Sequence, residues 1–141
     1  MSDSANLDLV RSIFAVWERG DYSSTEWADP EIEFVLADGL DPGSWTGVSG
    51  MQAAWRGVLA AWANHHPEAG EYRELDRERV LWIGDLSTRG KGSGLNLRKQ
   101  VANLFEIRAG KVVRLALYWE VDRAFADLGL APQGKAADRP D

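Results

Sequence analysis

The stretch VANLFEIRAGKVVRLALYWE, Val101 to Glu120, decides the fold. Two runs rich in Val, Leu, Ile and aromatics flank Arg108-Ala109-Gly110-Lys111. Runs of that composition suit a pleated, half-buried strand, and a short Gly-containing link between them predicts a β-hairpin. Side chains alternate faces along a strand. Val101, Asn103, Phe105 and Ile107 therefore share one face of the first arm, opposite Gln100, Ala102, Leu104, Glu106 and Arg108. On the second arm Val113, Leu115, Leu117 and Trp119 alternate with Arg114, Ala116, Tyr118 and Glu120. Each arm has one strongly apolar face, interrupted only by Asn103, and the rest of the chain is expected to cover it.

Upstream, Leu7, Val10, Phe14 and Trp17 recur at helical spacing, with Asn6 as the expected N-cap and Gly20 as the stop. A short helical turn is expected over Ser23 to Trp27, capped by Ser23 or Ser24, before Asp29-Pro30 punctuates the chain. Glu31 to Ala37 alternates as a strand. Residues 38–50 read as a loop, with a short strand at Trp45 to Val48. Ser49 is the expected cap of a second long helix, whose stripe is Met51, Ala54, Trp55, Val58, Leu59 and Trp62 and which Asn64-His65-His66-Pro67 closes. Glu71 to Leu75, Arg79 to Arg89, Leu97 to Arg108 and Lys111 to Val121 then read as a four-strand meander, Gly84 marking a bulge or bend. Asp122 to Leu128 reads as a last helical turn ending at Gly129. Helices early and an antiparallel sheet late indicate an α+β fold. Residues 1–5 read as a flexible terminus, 6–131 as one domain and 132–141 as a disordered tail.

The totals narrow the function classes. A net charge of −6 argues against a nucleic-acid partner, which needs a positive surface. No apolar run approaches the roughly 20 residues of a membrane span, and the start lacks a signal-peptide pattern, so no membrane role and a cytoplasmic location are expected. With no cysteine there is no disulfide or thiolate chemistry, and neither a metal nor a cofactor is expected. Arg89, Lys91, Arg98 and Lys99 cluster; a solvated strand edge explains them, an anionic-ligand site being the alternative. Gly90-Lys91-Gly92-Ser93-Gly94 lacks the spacing of a phosphate-binding loop and joins two strands, so it reads as a structural turn. Seven tryptophans are many for 141 residues, and such a number either fills a core or lines a ligand cavity.

Four pieces together carry a resemblance: the first helix ending WERGD, the early strand WADPEIEF, the helix GVSGMQAAWRGVLAAW, and the ending LFEIRAGKVVRLALYWEVDRAFADLGL. Over residues 6–130 the sequence resembles the nuclear-transport-factor-2-like superfamily in its SnoaL-like branch, which includes ketosteroid isomerases, polyketide cyclases and limonene epoxide hydrolases. The resemblance implies a cone: a strongly bent mixed or antiparallel sheet wrapped around helices, also called the cystatin-like fold, with a pocket at its wide end. It also implies an isomerase, cyclase or hydrolase acting on a polyketide-, terpenoid- or steroid-like ligand. The alternative is a non-catalytic homodimeric interaction or accessory domain. The isomerases use a Tyr, an Asp base and a protonated Asp. The matching positions here hold Ile13 (beside Phe14), Phe34 or Val35, and Asn103. The cyclases and epoxide hydrolases place an Asp where this chain has Leu117. The catalytic acids of the branch are thus absent. In this superfamily the outer sheet face packs against a second copy, so a homodimer is expected through Ala102, Leu104, Ala116 and Tyr118.

An apolar small molecule is the expected partner, and the cavity walls are expected to be Phe34, Trp45, Trp55, Asn103, Phe105, Leu115, Leu117 and Trp119, with Trp45 at the mouth. Core packing is the competing reading for each of these. No catalytic residue is assigned; Asn103 and Asp38 are the weak candidates. A buried amide must find a partner, on a neighbouring group, a water or a ligand. Asp38 and Asp41 are loop carboxylates that could serve as a base, although turn chemistry explains them as well. His65 and His66 are expected to satisfy helix C-terminal carbonyls, and adjacent residues cannot share one helix face to hold a metal. Strict alternation turns Glu120 away from the pocket.

Overall fold

The computed structural model describes residues 4–39 and 42–130. In chain order the elements are α1 (Ala5–Trp17), β1 (Ala28–Leu36), β2 (Gly43–Thr46), α2 (Gly47–Ala61), β3 (Trp62–Glu74), β4 (Arg79–Gly90), β5 (Asn96–Arg108), β6 (Lys111–Tyr118) and α3 (Val121–Leu128). The strands form one bent six-stranded sheet in the order β2-β1-β6-β5-β4-β3. Every pairing is antiparallel except β1 with β6. The result is the expected α+β arrangement, with a mixed, open sheet. The tail beyond Leu130, Asp41 and the first three residues lie outside the described residues.

The hairpin at the centre of the sheet is β5–β6. Arg108 pairs with Lys111, and the two loop residues, Ala109 and Gly110, have φ of 51° and 79°. Two successive positive φ values are those of a type I′ turn, whose twist matches that of the strands. A bulge between Glu106 and Ile107 inserts Val113 as the extra residue of β6. It corrects the alternation read from the sequence. Beyond the bulge Val112, not Val113, turns inward and is fully buried, while Leu115 and Leu117 keep their expected face.

Local hydrogen bonding shifts several boundaries. Ser4, not Asn6, caps α1: its Oγ accepts from the Leu7 amide at 3.0 Å, and the Asn6 side chain instead donates to the Arg77 carbonyl at 2.8 Å. The helical turn expected over Ser23 to Trp27 is absent. Asp21 takes the Ser23 amide and hydroxyl, and Ser24 Oγ accepts from the Trp27 indole, so these side chains stabilise an irregular turn. α2 begins at Gly47, whose φ of 83° lets β2 turn straight into the helix, and so Ser49 is not its cap. α2 also ends earlier than the sequence suggests. Trp62 is already extended, and Asn64 to Pro67 belong to β3. His65 and His66 therefore sit on an edge strand, not at a helix C-terminus.

β3 carries two bulges, each with one extra residue, between Ala63 and His66 and between Pro67 and Gly70. Pro67 has no N–H for the ladder, which an edge strand tolerates. The bulge expected at Gly84 falls on the neighbouring strand: β4 pairs with β5 unbroken from Arg79–Glu106 to Arg89–Asn96, and the second β3 bulge ends opposite Gly84. Gly84 has a different task. It lies opposite Gly70, and the Trp82 indole covers both: a Cβ on either glycine would stand 2.4–2.5 Å from that ring.

The two sheet faces bury separate cores. The inner face meets α1 and α2 through Ile13, Phe14, Trp17, Met51, Trp55, Phe105 and Leu115. The outer face meets α3, whose Val121, Ala124 and Phe125 pack on Leu81, Ile83, Ala102, Leu104, Ala116 and Tyr118. This corrects the expected dimer surface. Ala102, Leu104, Ala116 and Tyr118 are at most 5% exposed beneath the chain's own last helix, so they offer no face to a second copy.

Candidate functional site: a tryptophan-walled cavity

Protein interiors are close-packed, with few voids larger than a water molecule. Here a cavity of about 390 Å³ opens between α2 and the inner sheet face. That volume lies within the range of small-molecule sites, about 300–1,000 Å³. Six of the seven tryptophans stand in its wall: Trp17 at the end of α1, Trp45 on β2, Trp55 on α2, Trp62 at the start of β3, Trp82 on β4 and Trp119 after β6. They meet one another and their neighbours at mixed angles, some edge-on, some tilted and some stacked. Trp17 and Trp55 are 5.4 Å apart at 65°, while Trp62 and Trp119 stack at 6.2 Å and 27°. Rings braced in this way hold the helices off the sheet and keep the space between them open.

Of the eight expected wall residues, Trp45, Trp55, Asn103, Leu117 and Trp119 line the cavity. Phe34, Phe105 and Leu115 do not. They are fully buried one layer behind it, Phe34 against Trp45 and Trp55, and Phe105 against Phe14 and Trp17. The alternation placed all three on the inner face correctly. Which stretch of that face is roofed by a helix and which faces the void depends on where α1 and α2 lie.

The polar groups of the wall are few. Asn103 is 9% exposed, sits between Trp82 and Leu117 in the sheet register, and makes no side-chain hydrogen bond among the described residues. Asp38 is the one carboxylate in the wall among the described residues, and both its oxygens are engaged. Oδ1 accepts the Trp119 amide at 2.5 Å and Oδ2 the Glu120 amide at 3.1 Å, which ties the β1 end to the start of α3. That arrangement makes Asp38 a clamp rather than a free base. Asp41 lies outside the described residues. Two members of the charged cluster form surface pairs: Arg98 with Glu68 and Asp85 at 3.0 and 3.2 Å, and Lys99 with Glu120 at 3.4 Å.

Sequence reasoning missed His65, Tyr22 and Trp17 as wall residues. Tyr22 donates its hydroxyl to the His65 carbonyl at 2.6 Å, and burial holds its pKa well above the usual phenol value, so it stays protonated. His65 Nδ1 lies 3.0 Å from Thr88 Oγ1. Burial, aided by repulsion from His66, lowers the imidazole pKa to about 4, so the ring is neutral at pH 7. The available signal was the proline two residues on, which marks an extended chain as well as a helix end.

No protein-family model matches the sequence, and no curated protein is significantly similar to it. Solved structures do match. A nuclear-transport-factor-2-like protein of unknown function from Burkholderia pseudomallei superposes with a TM-score of 0.76 at 18% identity, covering 88% of this chain and 97% of its own. A Xanthomonas campestris protein provisionally described as a polyketide cyclase gives 0.72 at 14%, covering 86% and 95%. TerC, co-crystallised with polyporic acid, gives 0.71 at 20%, covering 89% and 98%. At such identities the likeness speaks for the fold, and the resemblance read from the sequence holds at that level: the chain has the nuclear-transport-factor-2-like fold.

Proposed function

We propose that this chain is a small-molecule-binding domain whose cavity takes a flat, mostly apolar ligand of the polyketide-like aromatic kind. The observation that carries the reading is the void itself, about 390 Å³ walled by six tryptophans. A core that left so much apolar surface unpacked would forgo dispersion contacts unless a ligand supplied them. The co-crystallisation of TerC with polyporic acid supports a small-molecule ligand on the same fold. The wall offers no unengaged carboxylate among the described residues, so binding is the function proposed here, without the acid–base step of the superfamily's enzymes.

Titration with 2-methylnaphthalene tests the reading. A ligand at about 100 times its Kd stabilises the folded state by about 2.7 kcal/mol, which a thermal melt detects. The expected result is a rise in Tm that Leu117→Trp abolishes by filling the void. An unchanged Tm with that probe and with 1,4-naphthoquinone would refute the proposal.

A further inference from the structure

Three glycines lie in α2, and two of them have a local reason. Gly47 turns β2 into the helix at φ 83°. At Gly50 a Cβ would stand 3.2 Å from that of Trp45, closer than ordinary packing. Gly57 has neither reason. It sits in the body of the helix, and its φ is not in the left-handed region. A Cβ built on it would meet nothing within 4 Å beyond its chain neighbours and its own helix backbone. Glycine inside a helix is costly relative to alanine, because it loses more backbone freedom on folding. Neither the backbone nor the packing of this chain accounts for a glycine here.

Its position in the cavity does. Gly57 lines the wall, with Ala53 one turn before it and Ala61 one turn after, and all three are exposed there. Residues four apart stand above one another on a helix, so the three form one bare face. A second feature of the same wall points to a ligand independently. Asn103 is 9% exposed, and its carboxamide has no hydrogen-bond partner among the described residues. Its polar atoms are not sealed off as the indole nitrogens of Trp17 and Trp55 are, and the wall they belong to is that of the cavity. A buried amide left unpaired is costly, and a polar group on a ligand would relieve it.

We propose that Gly57 is a specificity-determining residue: its missing side chain is the seat where a face of the ligand's fused rings lies against the α2 backbone, between Ala53 and Ala61. This assignment rests on the ligand-binding reading above and adds where the rings sit and which residue limits their bulk.

The test uses two neutral aromatic probes, 2-methylnaphthalene and, at pH 8, the three-ring acridine. Gly57→Ala should move stability and binding in opposite directions. The Tm of the free protein is expected to rise by about 2–4 °C, since alanine is the better helix former. Calorimetry should show affinity falling at least about fivefold for whichever probe binds the natural chain, because the added methyl group occupies the seat. Gly57→Leu should abolish binding while the circular dichroism spectrum stays that of the natural chain. A Tm that falls on Gly57→Ala would show that the fold itself requires the glycine and would overturn the assignment. Unchanged affinity in both variants would overturn it as well and leave the cavity reading standing. Binding of neither probe to the natural chain would overturn both.

Discussion

The two faces of the sheet use the same strands and reach opposite results. Ala102 and Ala116 lie on the outer face, and their neighbours in sequence, Asn103 and Leu117, pair with each other on the inner one. Outside, small and aliphatic residues let an eight-residue helix settle directly on the strands and seal them. Inside, large rigid rings meet at mixed angles, and a void of about 390 Å³ survives beside a well-buried core. Burial stabilises both faces, at roughly 25 cal/mol per Å² of apolar surface removed from water. Shape separates them: residues that can collapse make a seal, and residues that brace one another make a room.

The contrast can be broken by truncation on each side. Phe125→Ala on the sealed face should cost about 3–5 kcal/mol in urea unfolding, since its neighbours already pack fully. Leu117→Ala on the cavity side should cost below about 2 kcal/mol, because that side chain already borders empty space. Equal losses would show that the void is filled in solution. A second test uses pH. His65 is held near 4 in the folded chain against 6.5 when free. Between those values the unfolded chain binds a proton that the folded chain refuses. Stability is therefore full above about pH 6.5 and falls towards pH 4 by about 3 kcal/mol, an acid limb that His65→Gln should flatten. A third test concerns the brace itself. Gly84→Ala would drive a methyl group to 2.4 Å from the Trp82 ring and 2.7 Å from the Ala69 carbonyl, and should cost about 1–3 kcal/mol while reshaping the cavity. The smallest effect lies outside both faces. Ala109 holds a left-handed φ of 51° in the hairpin turn, and Ala109→Asn should stabilise by about 0.5–1 kcal/mol with no change in ligand binding.

The fold was legible where one periodicity ran uninterrupted. The hairpin, the α1 stripe from Leu7 to Trp17 and the Gly129 stop each follow from local chemistry, and Gly129 has the expected left-handed conformation, φ 68°. Legibility failed where long-range contacts override a local signal. Nothing near Asn64-His65-His66-Pro67 reveals that β4 will pair with it and draw it into a strand. The Val113 bulge is likewise a product of pairing, invisible in an alternating run. At the site, composition supplied the tryptophans and alternation supplied Asn103 and Leu117. The wall residues Trp17, Tyr22 and His65 come from α1, the α1–β1 connection and β3, so no spacing in the sequence could gather them.

The parallel β1–β6 pairing has a consequence for how the molecule is made. It sets Phe34 beside Leu115 and Leu36 beside Leu117, joining the first strand of the chain to the last. Chain growth at the ribosome runs from the N-terminus, so β1, with only β2 beside it at first, must wait for most of the domain before β6 emerges on its other side. α1 can settle on β3 and β4 as they emerge, whereas the joining of β1 to β6 needs a long loop closure that makes the final docking slow. The ligand chamber is consequently among the last features to form, and a ligand present during refolding would act on the closing step rather than on the early helices.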